Sequence, residues 1–352
     1  MKYTYRKEIE LTIHPNMEWN KNSEKEILQY TLGGLLYMPA TNTKIVDDLI
    51  NKKYPYLKSF VLCLEDSIGD SMIMEAERSV GQILNNIADA INKNILTINE
   101  LPLIFIRVRE CGQMTRLYEK FGKNLSVLTG FVLPKFDKTN ALKYINEFKA
   151  IADNVDFNLY ALPIIESKNA MFKQIRIDNL LAIRDTIKNV SNNILGIRVG
   201  GSDFCNIFGL RRDIEHTIWD MHVISDCLSD IVNVFGKDYV VSGPVWEYFG
   251  SNINGKWAKG LKNELKMDYL NGIIGKTAIH PTQLPIIQES LIVPYENYKD
   301  ALNILGMKKD IIGVQKGYGN DKMNEVKTHS NWAKKIICLS NIYGVEKEKK
   351  YD

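Results

Sequence analysis

The chain has 352 residues, 45% of them hydrophobic and 25% charged, with a net charge of +3. That composition is ordinary for a soluble globular protein. The charge excess is too small for an electrostatic grip on nucleic acid or a membrane surface. No apolar run reaches the ~18 residues a membrane helix needs, and the N-terminus lacks a signal-peptide core. The cysteines, Cys63, Cys111, Cys205, Cys227 and Cys338, are odd in number and scattered, with no Cys-x-x-Cys, so they read as reduced thiols. A cytoplasmic protein with neither nucleic acid nor membrane as partner is expected.

In chain order, residues 1–20 carry no clear pattern. Ser23 to Glu26 has capping-box spacing and starts a short helix that ends at Gly33-Gly34. A strand–helix alternation then begins. Leu35–Met38 is the first strand, stopped by Pro39, with a helix over Thr43–Lys53. Phe60–Leu64 is the second, ending at Glu65-Asp66, with a long helix from Ser71 to Asn94. Leu103–Val108 is the third and Gly130–Lys135 the fourth; in the helix after it, Leu142, Ile145, Phe148 and Ala152 recur at helical spacing. Leu159–Ile165 is the fifth, ending at Glu166-Ser167. Ile194–Val199 is the sixth, followed by Gly200-Gly201-Ser202-Asp203. Tyr239–Val241 and Gly272–Ile279 are the seventh and eighth. These near-continuous apolar runs suit a parallel sheet buried on both faces. Eight strand–helix units over about 250 residues predict an α/β (β/α)8 TIM barrel. The expected domains are an N-terminal extension with a short helix over 1–32, a barrel over 33–295 and a C-terminal helical extension over 296–352. Glu346 to Lys350 reads as a solvated tail.

In a barrel the strand ends converge on one face. Those of this chain bring Glu65 and Asp66, Arg107, Lys135, Glu166 and Asp203 to that mouth. A helix cap or surface ion pair would explain any one of them. Four carboxylates and two cations at one mouth point instead to a site for a hard cation, Mg2+ or Mn2+. His280 is the single histidine at a strand end, which argues against zinc. No nucleophile triad, P-loop or dinucleotide fingerprint is present.

Segments Leu35–Pro39, Leu62–Ser67, Ile106–Val108, Val132–Lys135, Ile164–Ser167, Gly200–Phe204 and Gly275–Gln283 resemble, in order, the citrate lyase β subunit and its relatives in the HpcH/HpaI aldolase group. The resemblance implies a Mg2+-dependent lyase or aldolase acting on a 2-oxo or hydroxy acid through a metal-stabilised enolate. Glu166 and Asp203 match the family's metal ligands, and Arg107 its oxyanion-stabilising arginine. Glu65 and Asp66 match the acids that support the metal, with Lys135 beside them. After the barrel, Glu325 takes the place of the family's acid–base aspartate, which in CoA-dependent relatives reaches a neighbouring active site. The apolar stripe of Trp332 and Ile336-Ile337 then implies a homo-oligomer, a trimer or hexamer.

Three departures bear on the substrate. The family's Gly-Asn-Arg-Pro after the first strand is here Ala40–Thr43, its Asn after the third-strand Arg-Val is Arg109, and the seventh-strand loop carries Trp246-Glu247-Tyr248-Phe249. That block and Phe208–Asp213 look like a divergent branch found with bacterial tellurite and stress-response gene clusters. Trp246 and Tyr248 beside Arg211 and Arg212 are expected to bind the larger part of a CoA- or nucleotide-linked carboxylate. The alternative is a catalytically silent barrel that serves as a ligand-binding or scaffold subunit.

Overall fold

The computed structural model describes residues 1–307 and 313–348. The chain forms two compact units: Asn20–Ile287 together with Met1, and Lys2–Trp19 with the chain from Gln288 onward.

In the first unit eight parallel strands close a barrel, the (β/α)8 fold expected. They are β1 (Gly34–Pro39), β2 (Ser59–Cys63), β3 (Leu103–Arg107), β4 (Gly130–Leu133), β5 (Tyr160–Ile165), β6 (Ile197–Val199), β7 (Val241–Gly243) and β8 (Ile273–Ala278). β2 to β8 are each buried almost throughout. That explains their continuous apolar runs: one face lines the barrel and the other receives the helices. The seam is closed by β1 and β8, with Leu35 opposite Thr277 and the Lys276 N–H donating to Gly33 O at 2.9 Å. Gly275 makes that approach possible. Its φ is +74°, and a Cβ there would lie 2.6 Å from Gly33 O.

Several elements differ from their expected form. Ser23 makes no capping box; its Oγ accepts the Asn20 N–H at 3.1 Å, and the helix runs Lys25–Thr31. Leu142 is 62% exposed, because the helix Ala141–Ala152 turns Ala141, Tyr144, Ile145, Phe148 and Ile151 inward. β6 is shorter than its apolar run, Ile194 joining Ala161 through an isolated bridge. β7 lies two residues later than read, since Ser242 can be buried once its Oγ donates to Ile274 O at 3.0 Å.

In the second unit the unpatterned N-terminus is ordered by the far end of the chain. The strand Leu11–Ile13 pairs antiparallel with Val345–Glu346, and the Tyr3 ring lies 4.4 Å from that of Tyr343. The helices Tyr295–Gly306 and Val326–Tyr343 pack together. Ile336 is thereby buried within the chain, while Trp332 and Ile337 stay half-buried. Glu346 of the expected tail is thus part of a strand; Lys349 and Lys350 lie outside the described residues. No helix among the described residues is long and apolar enough to cross a membrane.

Candidate active site

The C-terminal ends of the barrel strands surround a cavity of about 270 Å3, lined by Tyr37, Asp66, Arg107, Glu166, Arg198, Asp203 and Thr277 among others. Each charged group arrives there for a local reason. Arg107 is the last residue of β3, paired with Cys63 of β2, and Glu65 follows that strand by two residues. Glu166 follows β5 directly. Asp203 sits in the first turn of the helix Gly201–Ile207, which begins as soon as β6 ends.

Arg107 is the hub. Its Nη2 lies 2.8 Å from Glu65 Oε2 and 3.0 Å from Glu166 Oε1, and its Nη1 lies 3.2 Å from Asp66 Oδ2. Burial works against its charge, but Glu166, Tyr37 and Glu65 outweigh that and raise its pKa. Lys135 contacts Glu65 Oε1, lies 3.4 Å from Asp66 Oδ1 and reaches within 3.9 Å of Asp203 Oδ1. Its backbone has φ +47°, which turns its own N–H onto Glu166 Oε1 at 2.8 Å. Partial burial disfavours the ammonium, yet the bond to Glu65 and the surrounding acids raise its pKa. It stands as a charged donor, not a base.

The carboxylates are short of positive charge. Fully ionised, Glu65, Asp66, Glu166 and Asp203 would carry four negative charges, and the cations in ion pairs with them among the described residues are Arg107 and Lys135. Burial, and then Asp203, push Glu166 up to about 7 against the pull of Arg107. Burial and the neighbouring Asp66 also raise Glu65. Asp66 is held below its ordinary value: partial burial opposes this, but its bond with Glu65 and the charges of Arg107 and Lys135 prevail. Oxygen donors in excess of the cations paired with them suit a divalent hard cation. Among the described residues, both hydrogen bonds accepted by Glu166 fall on Oε1. Its Oε2 faces Gly200, where a Cβ would lie only 2.2 Å away. Gly200→Ala is therefore expected to push the carboxylate out of place and weaken Mg2+ binding at least tenfold. Calorimetry would show the loss, while circular dichroism should show an unchanged fold.

The expected substrate-binding residues lie elsewhere. The Arg212 guanidinium contacts Glu264 and Val245 O, and its Nη2 lies 2.7 Å from Glu247 Oε2. Trp246 is 1% exposed, with Nε1 donating to Trp257 O at 3.0 Å and its ring 4.8 Å from the Arg212 guanidinium. Tyr248 donates its hydroxyl to Arg212 O at 3.0 Å. These three hold the loops after β6 and β7 together, so the aromatic platform for a nucleotide-like group is not formed. Arg211 is exposed and lines no part of the cavity. Glu325 belongs to the second unit, where its N–H donates to His329 Nδ1 at 3.0 Å and its Oε2 accepts from Thr328 Oγ1 at 3.3 Å. Arg198, which also lines the cavity, is not among the expected site residues; its signal in the sequence is an arginine inside an apolar strand.

The family model for C–C bond lyases of the TIM-barrel fold matches residues 26–345. The chain belongs to that family. Two solved structures show how the fold recurs. A citrate lyase from Burkholderia xenovorans LB400 is 12% identical with a TM-score of 0.63, over 93% of this chain and 98% of that one. The CitE protein from Mycobacterium tuberculosis, solved with magnesium, acetoacetate and coenzyme A, is 14% identical with a TM-score of 0.56, over 89% of this chain and 99% of that one. No curated protein sequence matches the chain. The lyase thus carries its charged cluster at the C-terminal face of the barrel, where enzymes of this architecture place their active sites.

Proposed function

We propose that this lyase makes or breaks a carbon–carbon bond next to the carboxylate of a 2-oxo or hydroxy acid, with Mg2+ held by Glu166 and Asp203. The observation that carries the reading is the charge balance of the mouth, four carboxylates against two touching cations, with Oε2 of Glu166 turned towards the cavity wall at Gly200. When bound, the cation would supply a Lewis acid for the substrate's carboxylate and the neighbouring oxygen.

The chain's own residues do the rest. Cleavage beside a carbonyl leaves negative charge on oxygen, and a guanidinium fixed in advance stabilises that charge without having to reorganise. Arg107 is so fixed by three carboxylates on β2 and β5 ends. Glu65 and Asp66 hold both Arg107 and Lys135 in position. Lys135, protonated and half-exposed at the rim, can give a proton to the departing carbon fragment or take its place in the charge balance. Tyr37, Ile164 and Val199 give the cavity wall its apolar surface.

Calorimetric titration tests the reading. Pyruvate should bind in the presence of Mg2+ and at least tenfold more weakly without it. Equal pyruvate binding with and without the metal, or no Mg2+ binding at all, would overturn it.

A further inference from the structure

Below the charged ring, the cavity holds a cation, Arg198, with which no acid among the described residues forms an ion pair. Arg198 is the middle residue of β6, between Ile197 and Val199, which join the apolar layer. It pairs in register with Ile164 of β5, while Gly200, two residues on, faces Glu166. At ~3.3 Å per strand residue, its backbone lies roughly 6–7 Å deeper in the barrel than the Glu166 level. Its side chain is 1% exposed and still lines the cavity.

The contacts of this guanidinium are few. Nη2 donates to Thr277 Oγ1 at 2.6 Å, and the Tyr37 ring lies 5.8 Å from Cζ. Nε and Nη1 have no hydrogen-bond partner among the described residues, and no carboxylate there forms an ion pair with the group. Arg107 and Lys135, by contrast, are both spent on acids. Burial disfavours the Arg198 charge; the Tyr37 hydroxyl supports it in part, and the nearby charge of Arg107 disfavours it further. Arginine does not escape this by losing its proton. A buried, unpaired charge with free donors is costly unless a ligand completes it.

We infer that Arg198 is a specificity-determining residue that binds a second carboxylate of the substrate, one layer below the metal-holding end, so that the lyase selects 2-oxo or hydroxy diacids over monoacids. This rests on the function proposed above. A planar guanidinium with open donors matches a carboxylate, and one uncompensated positive charge balances one negative charge, where a phosphate dianion would leave an excess. Thr277 orients the fork from β8, and Tyr37 supports it from β1.

The test compares 2-oxoglutarate with 2-oxopentanoate, acids of the same chain length that differ in the second carboxylate, by calorimetry at saturating Mg2+. The wild type should bind the diacid about 10- to 100-fold more tightly. Arg198→Met should abolish that preference while Mg2+ and 2-oxopentanoate affinities stay within about twofold of wild type. If Arg198→Met fails to fold, Arg198→Gln, which can still bond to Thr277, carries the same expectation. No diacid preference in the wild type, or an undiminished preference in the variant, would overturn the inference, as would equal weakening of both acids, the mark of a purely structural arginine. Metal-dependent binding of 2-oxopentanoate reports on the function itself, so the two can fail separately.

Discussion

Asp203→Asn should bind Mg2+ at least about 100-fold more weakly than the wild type while unfolding at the same temperature. The affinity loss follows from removing one of the two carboxylates proposed to hold the cation; even supporting residues around metal sites cost 10- to 100-fold. The stability expectation follows from exposure. Asp203 is about one-third exposed, and its ion-pair contact is with the half-exposed Lys135 at 3.9 Å, an arrangement worth little to the fold. Glu166→Gln should lose the metal to the same degree, but it is the less clean variant. Its carboxylate also takes Arg107 Nη2 and the Lys135 N–H, so an amide there disturbs the hub as well as the charge. Retained Mg2+ affinity in Asp203→Asn, measured by titration calorimetry, would remove the metal assignment.

The largest stability effect should come from a cluster that never touches the cavity. Lys276 of β8 is fully buried, with Nζ 2.7 Å from Glu264 Oε1 and 2.7 Å from Asp268 Oδ2. Glu264 also takes the Arg212 guanidinium and the Ile218 N–H, and Asp268 takes the Trp219 indole N–H at 2.8 Å. Lys276→Met leaves both acids buried without their shared cation, which should cost about 3–5 kcal/mol in urea unfolding. The pH dependence has a definite sign. Burial already raises the Asp268 pKa, with Glu264 adding to it and Lys276 opposing. Without Lys276 the folded pKa rises further above the unfolded value. The stability linked to that proton is present at low pH and is lost as pH climbs through the folded pKa. The variant should therefore lose stability more steeply than the wild type as pH rises above the ordinary carboxylate range. A loss below ~1 kcal/mol would mean that the acids find other partners or water.

The same cluster explains why the loop residues expected to bind substrate lie away from the cavity. Arg212, Trp246 and Tyr248 stand close in sequence to a barrel mouth and have the chemistry of a ligand platform. Their partners, Glu264 and Trp257, lie on a helix following β7, and nothing in the local sequence shows that Arg212 is already neutralised. Arg198 is the converse case. Its neighbours in sequence are apolar, so it reads as part of a buried strand, and only barrel closure shows that this position opens onto the cavity without an acid opposite. Leu142 shares helical spacing with Ile145 and Phe148 yet faces solvent, because a period of 3.6 residues fits two overlapping apolar faces and the sheet decides which one is covered.

By itself the sequence determined the barrel and the composition of its mouth. Eight apolar runs, each long enough for a strand, can bury both faces only in a parallel sheet flanked by helices, and the acids and bases stand where those runs stop. These are local facts, since strand periodicity and chain-breaking glycines are written within a few residues. Pairing across the closed barrel was decided by tertiary structure alone. It makes Arg107 the hub of three carboxylates, sets the Glu166 carboxylate against Gly200, and leaves Arg198 with open donors. It also joins Leu11–Ile13 to Val345–Glu346 at the opposite end of the chain. Electrostatic balance depends on distances of a few ångströms between residues tens to hundreds apart in sequence, and only the folded chain sets those distances.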